Sequence, residues 1–66
     1  MDKKVIGLRL RELRGDKTLK EVAEAVGIST SALGMYETGR RIPNDNIKIA
    51  LANHFNSTVD VIFFAN

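Results

Sequence analysis

Apolar residues recur at helical spacing near the start of the chain. Ile6, Leu10 and Leu13 follow the i, i+4, i+7 pattern that places side chains on one face of an amphipathic helix. Gly15 comes next, and glycine commonly ends a helix because it adopts left-handed backbone angles without a Cβ clash. The pattern predicts a first helix from about Lys3 to Arg14.

A second, short helix is predicted from a capping pattern. Thr18 and Glu21 have the spacing of a capping box, in which the hydroxyl accepts a hydrogen bond from a backbone amide at the start of a helix. The side chains expected on its inner face are Leu19, Ala23 and Val26. Gly27 is expected to end this helix after about eight residues.

The third helix is predicted to start almost immediately. Ser29, two residues after Gly27, is a favoured N-cap. Leu33 and Tyr36 lie three residues apart, which puts both on the inner face, and Gly39 is expected to end the helix. The second and third helices therefore meet across a Gly-Ile-Ser turn.

A fourth helix is predicted behind Pro43, with Asn44 or Asp45 as its cap. Its apolar stripe is predicted to contain Ile47, Ala50, Leu51, His54 and Phe55. A single histidine on such a stripe, without a second His or Cys at ligand spacing, favours packing over metal binding.

The last helical segment is short. Ser57 and Asp60 repeat the capping pattern at its start. Three side chains are expected to face inward, namely Val59, Ile62 and Phe63. Phe64 is not assigned to this inward face. Together the five segments predict an all-α, compact five-helix domain without strands.

Composition and charge argue against a disulfide-bonded, secreted or membrane protein and weakly favour a protein that binds nucleic acid. Sixty-six residues without cysteine make one domain, residues 1–66, with no disulfide and no thiolate metal site. The start has neither the apolar run of a signal peptide nor one long enough to span a membrane, so we expect a soluble, cytoplasmic protein. Through Arg41 there are nine Lys/Arg against six Asp/Glu, which weakly favours nucleic acid as a partner.

Two short helices joined by a glycine-containing turn have the spacing of a helix-turn-helix, whose second helix enters the major groove of DNA. The segments VAEAVGIS, ALGMYETGRRIP and IKIALANHFNSTVDVIF resemble the Cro and phage-repressor type, or XRE-like, helix-turn-helix regulators, from Ile6 to Phe63. They look especially like the short, single-domain regulators of mobile elements.

The resemblance implies a lambda-repressor-like fold in which helices 2 and 3 (about residues 18–38) read DNA, and helix 3 is the recognition helix. It also implies that Glu37 pairs with an arginine of helix 1; the residues allow Arg14 or Arg11, and Arg14 is favoured.

The outward face of helix 3 and the basic residues around it are the predicted contacts with DNA. The residues predicted to read bases are Ser29, Thr30, Ser31, Gly34 and Met35. The residues predicted to bind phosphate are Lys17, Thr18, Lys20, Tyr36, Arg40 and Arg41. Two alternatives stay open: Ser29 can serve only as a cap, and Gly34, which costs a helix about 1 kcal/mol relative to Ala, can serve a tight helix contact.

Two positions depart from the family's pattern. Leu19 stands where the family often has glutamine, and Thr30 stands where it often has a long polar or basic residue. Because bidentate readers are few, we expect recognition to depend on hydroxyl and methyl contacts and on DNA shape.

The expected function is that of a sequence-specific regulator, a repressor that binds double-stranded DNA at an inverted repeat as a homodimer. Residues 44–66 would serve the core and the dimer contact, through Val61, Phe63 and Phe64. The alternative is an antitoxin-like or adaptor module whose main partner is a protein. No set of nucleophile and base predicts an enzyme, and no pattern predicts a cofactor, a metal or a small-molecule ligand.

Overall fold

Side-chain caps define where the helices begin. The computed structural model describes residues 2–65 of the chain. Asp2 Oδ1 accepts hydrogen bonds from the backbone N of Lys4 at 2.9 Å, and Thr18, Ser29 and Asn44 each accept one from the amide three residues later, at 3.0–3.1 Å. Such caps satisfy amides that have no partner within their helix. The structure thus selects Asn44, not Asp45, as the cap of the fourth helix.

The fold consists of five helices, and residues 2–65 contain no strand. The helices are α1 (Lys3–Arg14), α2 (Leu19–Val26), α3 (Thr30–Glu37), α4 (Asp45–His54) and α5 (Asp60–Phe64). The last is a π-helix, in which Ala65 N donates to Asp60 O five residues earlier, at 2.7 Å. The all-α prediction is therefore confirmed, and the bounds predicted for α1 match those observed.

The core lies where all five helices meet. Its buried hydrophobic residues are Ile6, Leu10, Val22, Ala23, Leu33, Tyr36, Leu51, Ala52, Ile62 and Phe63. Leu13, predicted on the inner face of α1, is 40% exposed, whereas Val22, which the stripe predicted for α2 did not include, is fully buried. In both cases the angle at which the neighbouring helix crosses, rather than the helical period alone, decides which side chain is covered.

α1 and α3 approach each other closely at Gly7. A Cβ on Gly7 would lie 2.8 Å from the carbonyl oxygen of Tyr36 and 2.8 Å from the carbonyl carbon of Glu37. Real Cβ atoms do not come this close to backbone atoms, so the crossing requires glycine. This contact fixes the C-terminal end of α3 against α1.

The stripe predicted for α4 differs from the buried face in three positions. His54 is exposed, whereas Ala52 and Lys48, which the stripe omits, are buried, Lys48 with 8% of its surface accessible. The Lys48 ammonium lies 5.9 Å and 5.2 Å from the ring centroids of Phe63 and Phe64, where cation–π attraction compensates in part for lost hydration. The flexible aliphatic part of the Lys48 side chain lets this charged residue occupy a buried position. A sequence pattern of apolar residues cannot identify such a position.

α5 is attached to α1 by an arginine. The guanidinium of Arg9 donates to Ile62 O at 2.9 Å and to Ala65 O at 2.6 Å, which satisfies carbonyls at the end of α5. At its start, Thr58 Oγ1 accepts from Val61 N at 3.1 Å, so the hydroxyl that caps this segment belongs to Thr58 and not to Ser57.

Candidate nucleic-acid interface

α2 and α3 form one unit around a tight turn. The turn residue Gly27 has φ 85°, a left-handed conformation that strongly favours glycine. The backbone N of Gly27 and that of Ile28 both donate to Ala23 O at 2.9 Å, which ends α2 and directs the chain into α3. Ile28 then packs against the core, so the angle between the two helices is held by burial as well as by hydrogen bonds.

An ion pair fixes α3 to the end of α1. Arg14 Nε and Nη2 donate to Glu37 Oε2 and Oε1 at 2.7 Å and 3.0 Å, and Arg14 Nη1 donates to Lys17 O at 2.7 Å. One guanidinium therefore connects α1, the loop before α2 and the end of α3. Arg11, the other candidate for this pair, instead donates to Gly15 O at 3.2 Å.

The pair is well shielded from water. The Arg14 and Glu37 side chains are 13% and 7% exposed. The hydrogen bond to the Glu37 carboxylate stabilises the charged guanidinium and raises the pKa of Arg14, with the attraction between the charges adding to this and burial opposing it. The arginine thus remains charged at every physiological pH, and the bidentate geometry holds α3 in one orientation.

The outward face of α3 is polar and free of bulky side chains. Ser29, Thr30 and Ser31 are exposed, while Leu33 and Tyr36 are buried on the opposite face. The hydroxyl of Ser29 accepts from Ala32 N at 3.0 Å, so this side chain is a cap, which leaves its hydroxyl hydrogen for another partner. The structure therefore brings the predicted base-reading residues onto one accessible surface.

Gly34 lies in the middle of this surface with open space above it. A Cβ built there would have no neighbouring atom within 4 Å. The alternative explanation, that glycine is needed for a tight contact with another helix, is thus contradicted within the protomer. Met35, next to it, is half-buried but is not among the hydrophobic residues that pack against the core.

Tyr36 packs its ring in the core, and the residue as a whole is 5% exposed. The described residues contain no buried side-chain oxygen without a hydrogen-bond partner, so the buried ring does not exclude a hydroxyl at the surface. The contact of this hydroxyl with phosphate stays a prediction.

Exposed basic residues lie at the start of α2 and after the end of α3. Lys17 and Lys20 are exposed beside the start of α2, and Arg40 and Arg41 are exposed after α3. The backbone N atoms of Arg40 and Arg41 donate to Met35 O at 2.9 Å and 3.3 Å, so this loop is held against the end of α3. Thr18, also exposed, uses its hydroxyl as the cap of α2.

Lys4 is a further cation that the sequence analysis did not identify. A Cβ on Gly39 would lie 3.3 Å from the Cα of Lys4, so the exposed Lys4 neighbours the loop that carries Arg40. Lys4 and Arg40 are far apart in sequence, and only the crossing of α1 and α3 brings them together. No local pattern could have indicated this contact.

The surface around α5 contains the remaining predicted residues. Val61 and Phe64 are 56% and 54% exposed, but Phe63 is 2% exposed and packs in the core. Phe63 therefore offers no surface to a second copy, which corrects its prediction as a dimer contact. Two shallow grooves between α1 and α5 lie beside Arg9; one includes Val5 and Phe64, and the other includes Leu13 and Val61.

Metal sites and membrane-spanning helices are absent from the described part of the chain. Residues 2–65 contain no group of three or more His, Cys, Asp or Glu side chains placed to hold a metal ion. Among the same residues, no helix is both long and apolar enough to span a bilayer.

Comparisons with known proteins agree with this geometry. The model of a helix-turn-helix family matches residues 8–62. The restriction-modification controller protein C.AhdI from Aeromonas hydrophila has a similar structure, with a TM-score of 0.85, 30% identity, and coverage of 94% of this chain and 97% of that chain. The clp gene regulator ClgR from Corynebacterium glutamicum is similar with a TM-score of 0.82, 28% identity, and coverage of 94% and 68%. The comparison with curated proteins gave no match.

The matched region includes both helices of the α2–α3 unit, the ion pair that holds it and most of the core. It covers well over half of the chain. This protein belongs to the XRE family of helix-turn-helix proteins and is a DNA-binding transcriptional regulator.

Proposed function

We propose that this regulator is a cytoplasmic repressor that binds an inverted-repeat operator as a homodimer. The observation that carries the proposal is the outward face of α3, which is small, polar and accessible while the Arg14–Glu37 pair fixes the helix behind it. A recognition helix must be exposed and rigid at once, because base contacts require a defined register in the major groove.

The chemistry of the exposed side chains indicates which residues would contact bases and which would contact phosphates. Thr30 and Ser31 have hydroxyl groups that can bond to base edges, and Met35 offers a flexible apolar contact. Arg40, Arg41, Lys17 and Lys20 would bind the phosphates that border the groove and set the register of the protein. Specificity would then depend on short contacts and on the shape of the groove.

A dimer would place two such faces on one side of the duplex. Two-fold symmetry matches an inverted repeat with half-sites roughly 34 Å apart, one turn of B-DNA. The surface we assign to the dimer contact is Val61 and Phe64 of α5 with Val5 and Leu13 of α1, all exposed apolar residues beside the two grooves. Burying them against a second copy would remove this surface from water. Occupying an operator in this way would repress the adjacent promoter.

The first test is a mobility-shift titration with the DNA that flanks the coding region, in excess nonspecific competitor and at two salt concentrations. A complex that resists competitor and contains two protomers supports the proposal. Arg41→Gln should reduce the slope of log K against log salt by about two per dimer, because one phosphate contact is lost per protomer. Arg11→Gln, a charge change at an exposed position of α1 outside the predicted contacts, is the matched control and should leave the slope unchanged. Binding that competitor abolishes would contradict the proposal.

A further inference from the structure

Gly34 leaves a gap of one side chain on the outward face of α3. Apart from its chain neighbours and the backbone of its own helix, no described atom lies within 4 Å of the place where its Cβ would be, and Gly34 is not among the residues with positive φ. Neither packing nor backbone conformation within the protomer therefore requires glycine here. Since glycine destabilises the interior of a helix relative to alanine, a requirement outside the protomer is the remaining explanation.

The surroundings of the gap are defined by the helix itself. Residues three and four positions away, Thr30, Ser31, Glu37 and Thr38, are its neighbours on the helix surface, and the carboxylate of Glu37 is engaged by Arg14. Thr38 Oγ1 donates to Gly34 O at 2.9 Å, and Thr38 N donates to the same oxygen at 3.1 Å. The carbonyl of Gly34 and the hydroxyl of Thr38 are thus already engaged, so the unengaged group of Thr38 is its methyl. Because only the Cβ is missing and the space beyond it is open, one methyl group of a bound molecule can approach the backbone of α3 here, beside the side chain of Thr38.

Among the groups displayed in the major groove, the apolar one of this size is the 5-methyl of thymine. We propose that Gly34 is a specificity-determining residue, whose missing Cβ admits the 5-methyl group of an operator thymine against the backbone of α3. This inference rests on the proposed function and adds to it the chemical identity of one base. An alanine at this position would put its own methyl into the same space.

The experiment compares thymine with uracil, which pairs identically and lacks only the 5-methyl group. The wild-type protein first selects duplexes from a randomised pool, and each thymine of the selected half-site is then replaced by deoxyuridine in both halves. Kd is measured by fluorescence anisotropy for the wild type, Gly34→Ala and Asn53→Ala. Asn53 is an exposed residue of α4, so Asn53→Ala is a control for a gain in helix propensity remote from the α3 face.

At one thymine per half-site, the uracil duplex should bind the wild type about fourfold more weakly per half-site, the loss expected for one unburied methyl group. Gly34→Ala should bind the thymine duplex at least roughly tenfold more weakly, as displacing a well-packed base contact does. It should also lose the difference between thymine and uracil at that position. Asn53→Ala should behave as the wild type with both duplexes, and circular dichroism should show all three proteins folded.

Two results would overturn the inference and leave DNA recognition intact. One is a wild-type protein that binds its selected duplex and responds to no uracil substitution. The other is a Gly34→Ala variant that keeps the wild-type preference for thymine. If the wild type enriches no sequence from the pool, the proposed function itself fails, and the inference fails with it.

Discussion

Gly7 and Gly34 are both helical glycines, and the structure gives them opposite surroundings. A side chain on Gly7 would meet the backbone of Tyr36 and Glu37, whereas one on Gly34 would meet nothing. We expect Gly7→Ala to destabilise the fold by about 3 kcal/mol, since backbone atoms cannot yield as a flexible side chain can. Gly34→Ala is the matched control and should stabilise it by up to about 1 kcal/mol. Urea unfolding measures both, and equal effects would contradict the crossing described here.

Arg14 is the residue whose loss should most disturb the DNA-reading unit. Arg14→Ala would leave the Glu37 carboxylate, 7% exposed, without its partner, and removing one member of a buried pair costs about 3 kcal/mol. Arg11→Ala is the matched control, because Arg11 is exposed and bonds only a loop carbonyl; its loss should change stability by under about 0.5 kcal/mol. The measurement is again the free energy of unfolding in urea.

The pH dependence of that pair follows from the raised pKa of Arg14. A group with a pKa higher in the folded state contributes its full stability below the unfolded pKa and loses it only as pH rises through the folded value. For arginine this window lies far above neutrality, so the contribution from its side of the pair is constant at physiological pH. The difference in stability between the wild type and Arg14→Ala should not shrink when the pH is raised from about 7 to about 9.

At the scale of the helices, α5 is the shortest of the five elements. It is five residues long, and it depends on Thr58 at its start and on Arg9 at its end. We expect Thr58→Ala to destabilise the protein by about 1 kcal/mol, the usual loss for a side-chain cap. Ser57→Ala is the control and should have little effect. Hydrogen exchange at the amide of Val61 would report the change locally, and equal protection in both variants would count against Thr58 as the cap.

The sequence predicts the ends of helices better than their faces. Thr18, Ser29 and Asn44 bond amides three residues away, so every atom involved lies within one local segment. The burial of Val22 and the exposure of Leu13 depend instead on where a distant helix crosses. α5 was placed correctly, but its cap is Thr58 and not the predicted Ser57, although the bond from Val61 N lies within the same local segment. The carbonyls at its end bond Arg9 of α1, a contact that no local pattern contains.

The same distinction holds for the candidate site. The exposed residues of α3 could be predicted because Leu33 and Tyr36 identify the opposite face. Local spacing could not choose between Arg11 and Arg14, and it could not place Lys4 beside the loop of Arg40. Phe63 and Phe64 are adjacent and chemically identical, so only the three-dimensional packing separates the core residue from the exposed one.

At the scale of the whole molecule, the proposed dimer contact is the exposed apolar surface of α1 and α5. Phe64→Asp should shift the monomer–dimer equilibrium toward monomer by at least about tenfold, because it would replace a large apolar contact of the interface with a charged carboxylate. Leu8→Asp is the control, since Leu8 is 66% exposed and lines neither groove. Sedimentation equilibrium measures both variants. An unchanged dimer in Phe64→Asp would exclude this surface.

The open space above Gly34 also has an evolutionary consequence. Because residue 34 is unconstrained by the fold, a change there can alter which DNA is bound without first weakening the protein. A glycine codon becomes an alanine codon through a single base change, and alanine adds helix stability. After gene duplication, a single base change in one copy could therefore weaken its binding to the operator of the original regulator. The two copies would then bind different operators and no longer compete for the same DNA.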